Sequence, residues 1–465
     1  MNPDDDVAEQ ASAGTTRRKV LRMLGLGGLA VAGIPILDAC SSKSSTSKLS
    51  TSSSSGSEAA TTAAPSSSTG DAGKRLAELL KIDAKTSGGG TVFKMGAVLA
   101  FTGPGAYYGQ TMSKGIKMAV KHIKDAGGPD IQVSYYDHKS GDAQAGVDAM
   151  RQIGSANVPA KLASYVDDLG AMLPLTVQYK CFTLDGGGGT SLFGQGKPYF
   201  WGTRAITPND AIPGLLKYIK AANPSVKKLG FIGWDLGEPI NGLIKKDILS
   251  KFSAGGFQFN GLYELYPVGS SDYSTLIPKI AANEPDALIA YGSGQDPGHF
   301  ASQYDVSSIK APFYGFEFTP DGLNASKGAY DKYGFTFSAD YFDENVGVSP
   351  LAKLFIQEFK AANGSFPDFY AANFYENTLV MWECIRRVIA KGGNVNSGDD
   401  LDKALQDNLT VVSVYGGDSN TVGSYVLDPS THSVKRRNMG VFTYKSGKVK
   451  AQALFNIDGA DFKMA

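Results

Sequence analysis

Short apolar segments alternate with longer segments of helical periodicity along most of this chain. An apolar run at 92–100 is followed by 110–125, in which apolar residues recur every three or four positions. The alternation continues with expected strands at 131–136, 180–184, 228–233, 261–266 and 287–291, and with expected helices at 144–155, 211–221, 241–252 and 273–282. Strands and helices that alternate at this spacing form parallel sheets covered on both faces, so the sequence predicts an α/β fold. Such sheets bind ligands outside the carboxyl ends of their strands, and we expect a binding site in the loops that follow strands.

The N-terminal segment has the pattern of an export signal. Arg17 and Arg18 precede an apolar run rich in Gly and Ala at 23–37, and Ala39-Cys40 follows shortly after. The run is about fifteen residues long, shorter than the ~20 that a membrane-spanning helix needs, and a proline interrupts it. A twin-arginine pair before such a run indicates Tat export, and the small residue before Cys40 indicates a lipobox. We therefore expect residues 1–39 to be a signal peptide and Cys40 to carry a lipid that holds the protein at the outer face of the cytoplasmic membrane.

The segment after Cys40 is expected to be a linker. Residues 41–70 are almost entirely Ser, Thr, Ala and Gly, a composition that buries too little apolar surface to compensate the entropy of ordering. We expect the linker to extend over 40–90, with a short helix around 74–82. The folded part then begins near Thr91, and its length of about 370 residues is enough for two domains.

Charge and residue content limit the partners and the chemistry. Lys plus Arg and Asp plus Glu number 45 each, and no basic cluster follows the signal, so we expect no nucleic-acid partner. Cys181 and Cys384 each lie in an apolar segment, which favours two buried thiols over a disulfide. The four histidines lack metal-ligand spacing, and no Gly-x-Ser-x-Gly nucleophile elbow occurs. We therefore expect neither a metal, nor a cofactor, nor an enzyme.

An ordered set of segments carries a family resemblance from Thr91 to about Ile457. The segments are 94–104, 108–109, 115–120, 126–128, 136–137, 198–199, 310–315, 367–372 and 425–429. In this order they resemble the leucine/isoleucine/valine-binding family of extracytoplasmic solute receptors. The resemblance implies a type I periplasmic-binding-protein fold, in which two doubly wound α/β lobes joined by a three-crossing hinge close on a solute. It places the first lobe at 91–202 plus 341–408 and the second at 203–340 plus 409–465.

The resemblance also implies a set of aromatic residues that line the cleft. Tyr108 matches a cleft aromatic of the family, and Tyr107 lies beside it. Tyr370 matches an aromatic wall of the cleft. In the second lobe Trp234 stands at the end of an expected strand, and we expect its ring to stack on the ligand, with Glu238 as a polar contact.

Two first-lobe loops depart from the family pattern. Asp167 and Asp168 stand where amino-acid binders carry hydroxyl groups that donate to the ligand carboxylate. An ionised carboxylate cannot donate, and it repels a bound carboxylate. Either these aspartates face away or cap the following helix, or the ligand is not an ordinary α-amino acid; the sequence leaves both open. In the next loop Asp185 precedes four glycines, and we expect Gly188, Gly189 and Thr190 to offer backbone groups to the ligand.

Glu317 and Ser293 complete the expected site. Ser293 follows the expected strand at 287–291. Glu317 matches the acid that receives the ligand ammonium in amino-acid-binding members. A buried carboxylate is costly without a partner, so Glu317 predicts a cationic or hydrogen-bond-donating ligand, unless it is exposed on the loop surface.

The sequence thus predicts a lipid-tethered solute-binding component of an ABC importer. Its solute would be small and polar, such as an amino acid, an amide or an aromatic-type compound, and its protein partner would be the membrane permease. One alternative is a ligand-sensing receptor module with the same clamp, which we would expect to be joined to a membrane helix and an output domain. Another is a secreted hydrolase, which would need a catalytic constellation that the sequence lacks.

Replacement of Cys40 tests the expected lipid attachment. Cys40→Ala leaves the export signal intact but removes the thiol that would be acylated, so mature protein should move from the membrane fraction to the soluble fraction. Cell fractionation followed by immunoblotting measures this distribution. Retention of the variant in the membrane fraction would contradict the lipobox.

Overall fold

The structure, a computed structural model, describes residues 71–164, 166–186, 196–204, 210–238, 240–304, 309–342 and 349–465, without the side chains of 166–169 and 240. Its helices are α1 (Asp71–Leu79), α2 (Ala106–Asp125), α3 (Ala143–Ser155), α4 (Val166–Gln178), α5 (Ile212–Ala222), α6 (Ile240–Ala254), α7 (Leu276–Asn283), α8 (Asp296–Tyr304), α9 (Pro320–Ala325), α10 (Ala329–Tyr333), α11 (Pro350–Asn363), α12 (Phe369–Ala390) and α13 (Gly398–Gln406). Its strands are β1 (Val92–Leu99), β2 (Asp130–Asp137), β3 (Ala160–Ala163), β4 (Phe182–Asp185), β5 (Phe200–Gly202), β6 (Lys228–Asp235), β7 (Gln258–Pro267), β8 (Ala287–Tyr291), β9 (Phe313–Phe316), β10 (Phe335–Asp340), β11 (Thr410–Ser413), β12 (Gly423–Leu427), β13 (Val434–Arg436), β14 (Asn438–Lys445), β15 (Lys448–Asn456) and β16 (Lys463–Met464). None of these helices is long and apolar enough to cross a membrane.

The alternation of strands and helices that the sequence predicted between 92 and 291 is confirmed. Each expected strand overlaps one of β1, β2, β4, β6, β7 and β8, and each expected helix overlaps one of α2, α3, α5, α6 and α7. The helix starts are less accurate. α2 begins at Ala106, before the apolar period of 110–125 becomes visible in the sequence.

Five parallel strands form the sheet of the first lobe, in the order β2-β1-β3-β4-β5. Successive side chains of a strand point to opposite faces of the sheet. On β1, Phe93 and Met95 lie in the core shared with α2 and α12, whereas Val98 packs on the other face with Ile153 of α3. The sheet is therefore covered by helices on both faces, as an α/β fold requires.

α2 and α12 approach each other closely, and this brings the N-terminal ends of the two helices together. A Cβ atom at Gly115 would lie 2.1 Å from the carbonyl oxygen of Ala371, a distance that no side chain can accept. Glycine at this position therefore lets the two backbones touch. The contact sets Tyr108 at the start of α2 beside Tyr370 at the start of α12, with ring centroids 4.7 Å apart.

Eight strands form the sheet of the second lobe, in the order β16-β15-β14-β10-β9-β8-β6-β7. The strands from β7 to β10 run parallel, and β14, β15 and β16 are added antiparallel to their neighbours. Phe231 and Ile289 pack on the face covered by α5 and α6, and Leu288 packs on the opposite face. Trp234, Ser293 and Glu317 consequently lie at or just after the carboxyl ends of β6, β8 and β9.

Two segments pack differently from the expected lobe boundaries. β11, β12 and β13 form a separate antiparallel sheet whose Val411 and Tyr425 lie in the first-lobe core, although the resemblance implied the second lobe for 409–465. In the same core, Ala72 and Leu76 of α1 are buried, so the fold includes residues well before Thr91. Leu79 of the same helix, with Leu80 and Ile82 after it, packs partly buried against this core, so α1 belongs to the fold and not to the linker.

Three chain crossings join the lobes, and buried ion pairs connect them. The crossings follow β5 at Arg204, follow β10 at Asp340, and pass between β13 and β14 at Arg437. Arg204 Nε donates to Asp340 Oδ2 at 2.6 Å, and Arg437 Nε donates to Asp340 Oδ1 at 2.7 Å. Arg437 Nη1 also donates to Glu376 Oε1 on α12 at 2.8 Å. We call Arg204, Asp340, Arg437 and Glu376, each at most 4% exposed, the hinge network.

Burial and ion pairing act in opposite directions on the acids of the hinge network. Burial alone would raise the pKa of Asp340, but Arg204 and Arg437 outweigh it and hold that pKa below the usual range. At Glu376 burial prevails over Arg437 and raises the pKa. A carboxyl group with a lowered pKa stabilises the fold above its ordinary pKa and loses this contribution as the pH falls through the folded-state pKa.

Cys181 and Cys384 are free, buried thiols, as the sequence predicted. Burial raises the pKa of Cys384 to about 12 and also raises the pKa of Cys181. A thiol is reactive as its thiolate, so both side chains act as small apolar core residues.

Asp340→Asn tests how much the hinge network contributes to the free energy of unfolding. Removing one partner of a buried ion pair leaves uncompensated charge, so the variant should lose about 3–5 kcal/mol of unfolding free energy. The matched control is Asp399→Asn, which breaks an exposed pair with Lys180 at 2.9 Å and should cost about 1 kcal/mol or less. Urea unfolding at neutral pH measures both changes. The difference between wild type and Asp340→Asn should shrink progressively as the pH falls below about 4, because protonation of this carboxyl, first in the unfolded chain and then in the folded one, removes the stabilisation that its lowered pKa provides. Equal losses in the two variants would contradict the assignment.

Candidate functional site

Two tyrosines of the first lobe form one wall of the candidate site. Tyr108 and Tyr370 are 5% and 3% exposed, and their rings meet edge to face at an interplanar angle of 71°. Asp368 caps α12 by accepting from the backbone N–H of Ala371 at 2.8 Å, which fixes where Tyr370 enters the site. Burial, followed by the charge of Glu317, raises the pKa of both phenols. Both hydroxyl groups therefore stay protonated and can donate.

Glu317 of the second lobe meets this wall. It follows β9 directly and has a φ of 68°, a left-handed conformation that non-glycine residues rarely adopt. The hydroxyl of Tyr370 donates to Glu317 Oε2, and Ser293 Oγ donates to the same oxygen at 2.8 Å. Strained backbone of this kind costs of order 1–3 kcal/mol and persists where surrounding contacts hold it, commonly at functional sites. The Tyr370–Glu317 hydrogen bond thus joins the two lobes at the ends of α12 and β9.

Arg204 supplies the counter-charge of Glu317. Its Nη2 donates to Glu317 Oε1 at 2.6 Å while its Nε is bound to Asp340, so one guanidinium connects the site with the hinge network. The same group lies over the rings of Phe369 at 4.7 Å and Tyr370 at 5.2 Å. Cation–π contacts and two carboxylates together compensate the burial of this cation.

The pairing with Arg204 changes the interpretation of Glu317. The sequence indicated a buried acid, and the structure agrees, with Glu317 only 7% exposed. The structure supplies partners for this acid within the protein, because Arg204 donates to Oε1 and both Ser293 and Tyr370 donate to Oε2. The expectation that the ligand also donates to Glu317 stays a prediction. Arg204 was missed in the sequence, although an arginine two residues after the strand-like Phe200–Gly202 was a visible signal.

Other expected site residues have different contacts. The hydroxyl of Tyr107 donates a hydrogen bond to Asp368 and not to Glu317. Trp234 donates its indole N–H to Asp296 Oδ2 at 2.7 Å, and its ring meets Tyr291 edge to face. Glu238 is exposed and accepts from the backbone N–H of Gly242 at 3.3 Å, which is a helix-end contact of α6.

The first-lobe loops after β3 and β4 are described only in part. Gly188, Gly189 and Thr190 lie outside the described residues, as does Cys40. Asp167 and Asp168 belong to the first turn of α4, but their side chains lie outside the described part. Asp185 ends β4 and is fully buried, and its backbone carbonyl accepts from the N–H and the hydroxyl of Thr203, each at 2.8 Å.

A cavity of about 340 Å³ adjoins the candidate site between the lobes. Its walls include Tyr107 and Phe369 of the first lobe and Phe318, Phe337 and Phe442 of the second. Ligand pockets of this size are typically apolar with a few polar groups, and this one combines aromatic rings with polar side chains such as those of Thr111 and Asp368. The space between the lobes can therefore accept an apolar or aromatic group next to the polar cluster of Tyr370 and Glu317.

Comparison with known proteins identifies a family and several solved structures that share the fold of this chain. A family model described as periplasmic binding protein matches residues 92–448. The leucine-binding protein of Thermotoga maritima is 17% identical, with a TM-score of 0.66 over 78% of this chain and 98% of that one. The branched-chain amino-acid transporter substrate-binding protein of Streptococcus pneumoniae, in complex with isoleucine, is 20% identical, with a TM-score of 0.64 over 78% and 98%. A solute-binding protein of an ABC transporter from Rhodopseudomonas palustris, in complex with p-hydroxybenzoic acid, is 18% identical, with a TM-score of 0.64 over 80% and 97%.

No curated protein matches the chain. The family model nevertheless covers most of the sequence, and the two lobes, their parallel sheets and their three crossings agree with the architecture of the structural relatives. The chain belongs to the periplasmic binding protein family and has the type I fold of its branched-chain amino-acid-binding members.

Proposed function

We propose that this protein is the solute-binding subunit of an ABC importer, which captures a small polar solute between its two lobes and delivers it to a membrane permease. The observation that carries the proposal is the meeting of Tyr370 and Glu317 across the lobes, at strand and helix ends where α/β proteins bind ligands. The ABC transporter solute-binding proteins that share the fold support the same role.

The contacts favour an aromatic-type solute over an α-amino acid. An ammonium group is bound best by a carboxylate that lacks another counter-charge, and Arg204 already balances Glu317 at 2.6 Å. The rings of Tyr108 and Tyr370 and the phenylalanines of the neighbouring cavity offer faces and edges to a planar group. We therefore infer a solute with an apolar or aromatic body and hydroxyl, carboxyl or amide groups.

Membership of the family implies an extracytoplasmic location. The twin arginines Arg17 and Arg18 support export by the Tat route, and the lipobox pattern at Cys40 supports a lipid anchor. A tether of this kind keeps the binding protein near the permease without embedding it in the bilayer.

The proposed role is binding without catalysis. The structural relatives are solute-binding proteins, which supports the same conclusion indirectly.

Solute binding should close and stabilise the two lobes. A ligand that binds only the closed state stabilises it by about 2.7 kcal/mol at a hundredfold excess over Kd, so the thermal midpoint should rise with solute concentration. Differential scanning fluorimetry with leucine, isoleucine, valine, benzoate and 4-hydroxybenzoate measures the rise, and small-angle scattering should show a smaller radius of gyration with the same solute. Tight binding without compaction would contradict closure.

Glu317→Gln should weaken solute binding through the closed state. The substitution keeps the shape but removes the negative charge that receives the Tyr370 hydroxyl from the other lobe; a hydrogen bond to a charged group is worth roughly 1.5–3 kcal/mol, so affinity should fall about 10- to 150-fold. Glu264→Gln is the matched control, because Glu264 forms an exposed pair with Lys279 at 2.7 Å far from this contact. Isothermal titration calorimetry measures the solute affinity of both variants. Unchanged affinity in Glu317→Gln would show that the lobe contact does not contribute to binding.

A further inference from the structure

Two buried asparagines of α12 have no hydrogen-bond partner. Asn373 and Asn377 are 1% and 0% exposed, and both side-chain atoms of each amide, Oδ1 and Nδ2, are unpaired within the part of the chain that the structure describes. Buried amide groups are almost always paired, because an unpaired one costs about 1–3 kcal/mol. Four such atoms on one helix therefore require an explanation.

The neighbouring polar groups of α12 are satisfied, so the two asparagines differ from their surroundings. Glu376 accepts from Arg437 at 2.8 Å and from Ser413 at 2.5 Å. Thr378 donates to the carbonyl of Phe374 at 2.8 Å. Among the fully buried amides of α12, Asn373 and Asn377 thus leave both side-chain atoms unpaired, next to neighbours whose polar groups are paired.

That face is continuous with the candidate site. Tyr370, Asn373 and Asn377 are spaced three and four residues apart, which places them on one face of the helix over about 10 Å of its length. Tyr370 stands at the lobe contact with Glu317. Both amides lie against Gly186, directly after β4: a Cβ there would be 2.4 Å from Asn373 Oδ1 and 2.6 Å from Asn377 Nδ2. A glycine at the carboxyl end of β4 leaves room for the amides at the edge of the sheet where ligands bind.

We propose that Asn373 and Asn377 form a polar subsite that binds a hydroxyl group of the solute, an inference that rests on the proposed solute-binding function. Each amide can donate and accept, and so can a hydroxyl: it can accept from the Nδ2 groups of both amides and donate to one Oδ1, without bringing charge into a buried place. A solute hydroxyl thus supplies partners for three of the four unpaired atoms. The solute reaches these residues along α12 past Tyr370, after the lobes separate.

The test compares two probes that differ by one hydroxyl group, benzoate and 4-hydroxybenzoate. Asn373→Leu and Asn377→Leu keep the side-chain size but remove the amides, and the control Thr378→Val removes a satisfied buried hydroxyl on the same helix. Calorimetry measures both affinities for wild type and variants, and thermal unfolding measures the solute-free proteins. Isoleucine serves as a third probe without a ring.

We expect wild type to bind 4-hydroxybenzoate about three- to tenfold more tightly than benzoate, and both leucine variants to lose this preference. Their solute-free thermal midpoints should be unchanged or higher, because no hydrogen bond is lost and apolar groups replace unpaired amides. Thr378→Val should keep the preference.

Three results overturn the inference: no preference for the hydroxylated probe in wild type, the same preference in the leucine variants, or solute-free destabilisation of these variants beyond that of Thr378→Val. If the protein still binds benzoate or isoleucine and becomes more compact on binding, the proposed solute-binding function remains supported in each of these cases. If wild type binds none of the three probes and retains no solute after purification, the proposed function itself fails, and the subsite fails with it.

Discussion

Asp340 is the charge on which the rest of the structure depends. It lies on the second crossing and accepts from Arg204 of the first crossing and Arg437 of the third, so a single carboxylate holds all three connections between the lobes. Such an arrangement is costly to desolvate and is stable only when every charge is paired. The pairing is nearly complete here, because the guanidinium groups continue to Glu317 on one side and to Glu376 on the other. The hinge is thus defined by electrostatic pairing as much as by the path of the chain.

The same network determines the chemistry of the space between the lobes. Arg204 extends from the hinge to Glu317, and Glu317 receives Tyr370 from the first lobe. The acid that the family resemblance assigns to a ligand ammonium is therefore part of the protein's own closing contact. The aromatic-type solute that we propose rests on this pairing of Glu317 within the protein.

Local patterns in the sequence predicted the fold well because local burial produces them. The apolar runs of β1, β6 and β8 and the helical period of α2 follow directly from which face each element buries. The family resemblance singled out Tyr108, Glu317 and Tyr370, and the end of an expected strand singled out Ser293; the structure places these four side chains next to one another. Partners distant in sequence left no such pattern: nothing near Glu317 indicates Arg204, 113 residues before it. Tyr107 was expected in the cleft as the neighbour of Tyr108, and Trp234 because it stands at the end of an expected strand; nothing local in the sequence indicates that their polar groups donate to Asp368 and Asp296.

Helix α1 determines which lobe receives a mechanical force applied to the chain before Asp71. It is packed through Ala72 and Leu76 into the first-lobe core, so tension carried by the residues before Asp71 is transmitted to that lobe and not to the hinge. The second lobe follows in the chain only through the crossings at Arg204, Asp340 and Arg437. If the preceding residues are tethered, the first lobe acts as the stationary part and the second as the moving part. The work of closing is then independent of the length and the tension of the tether.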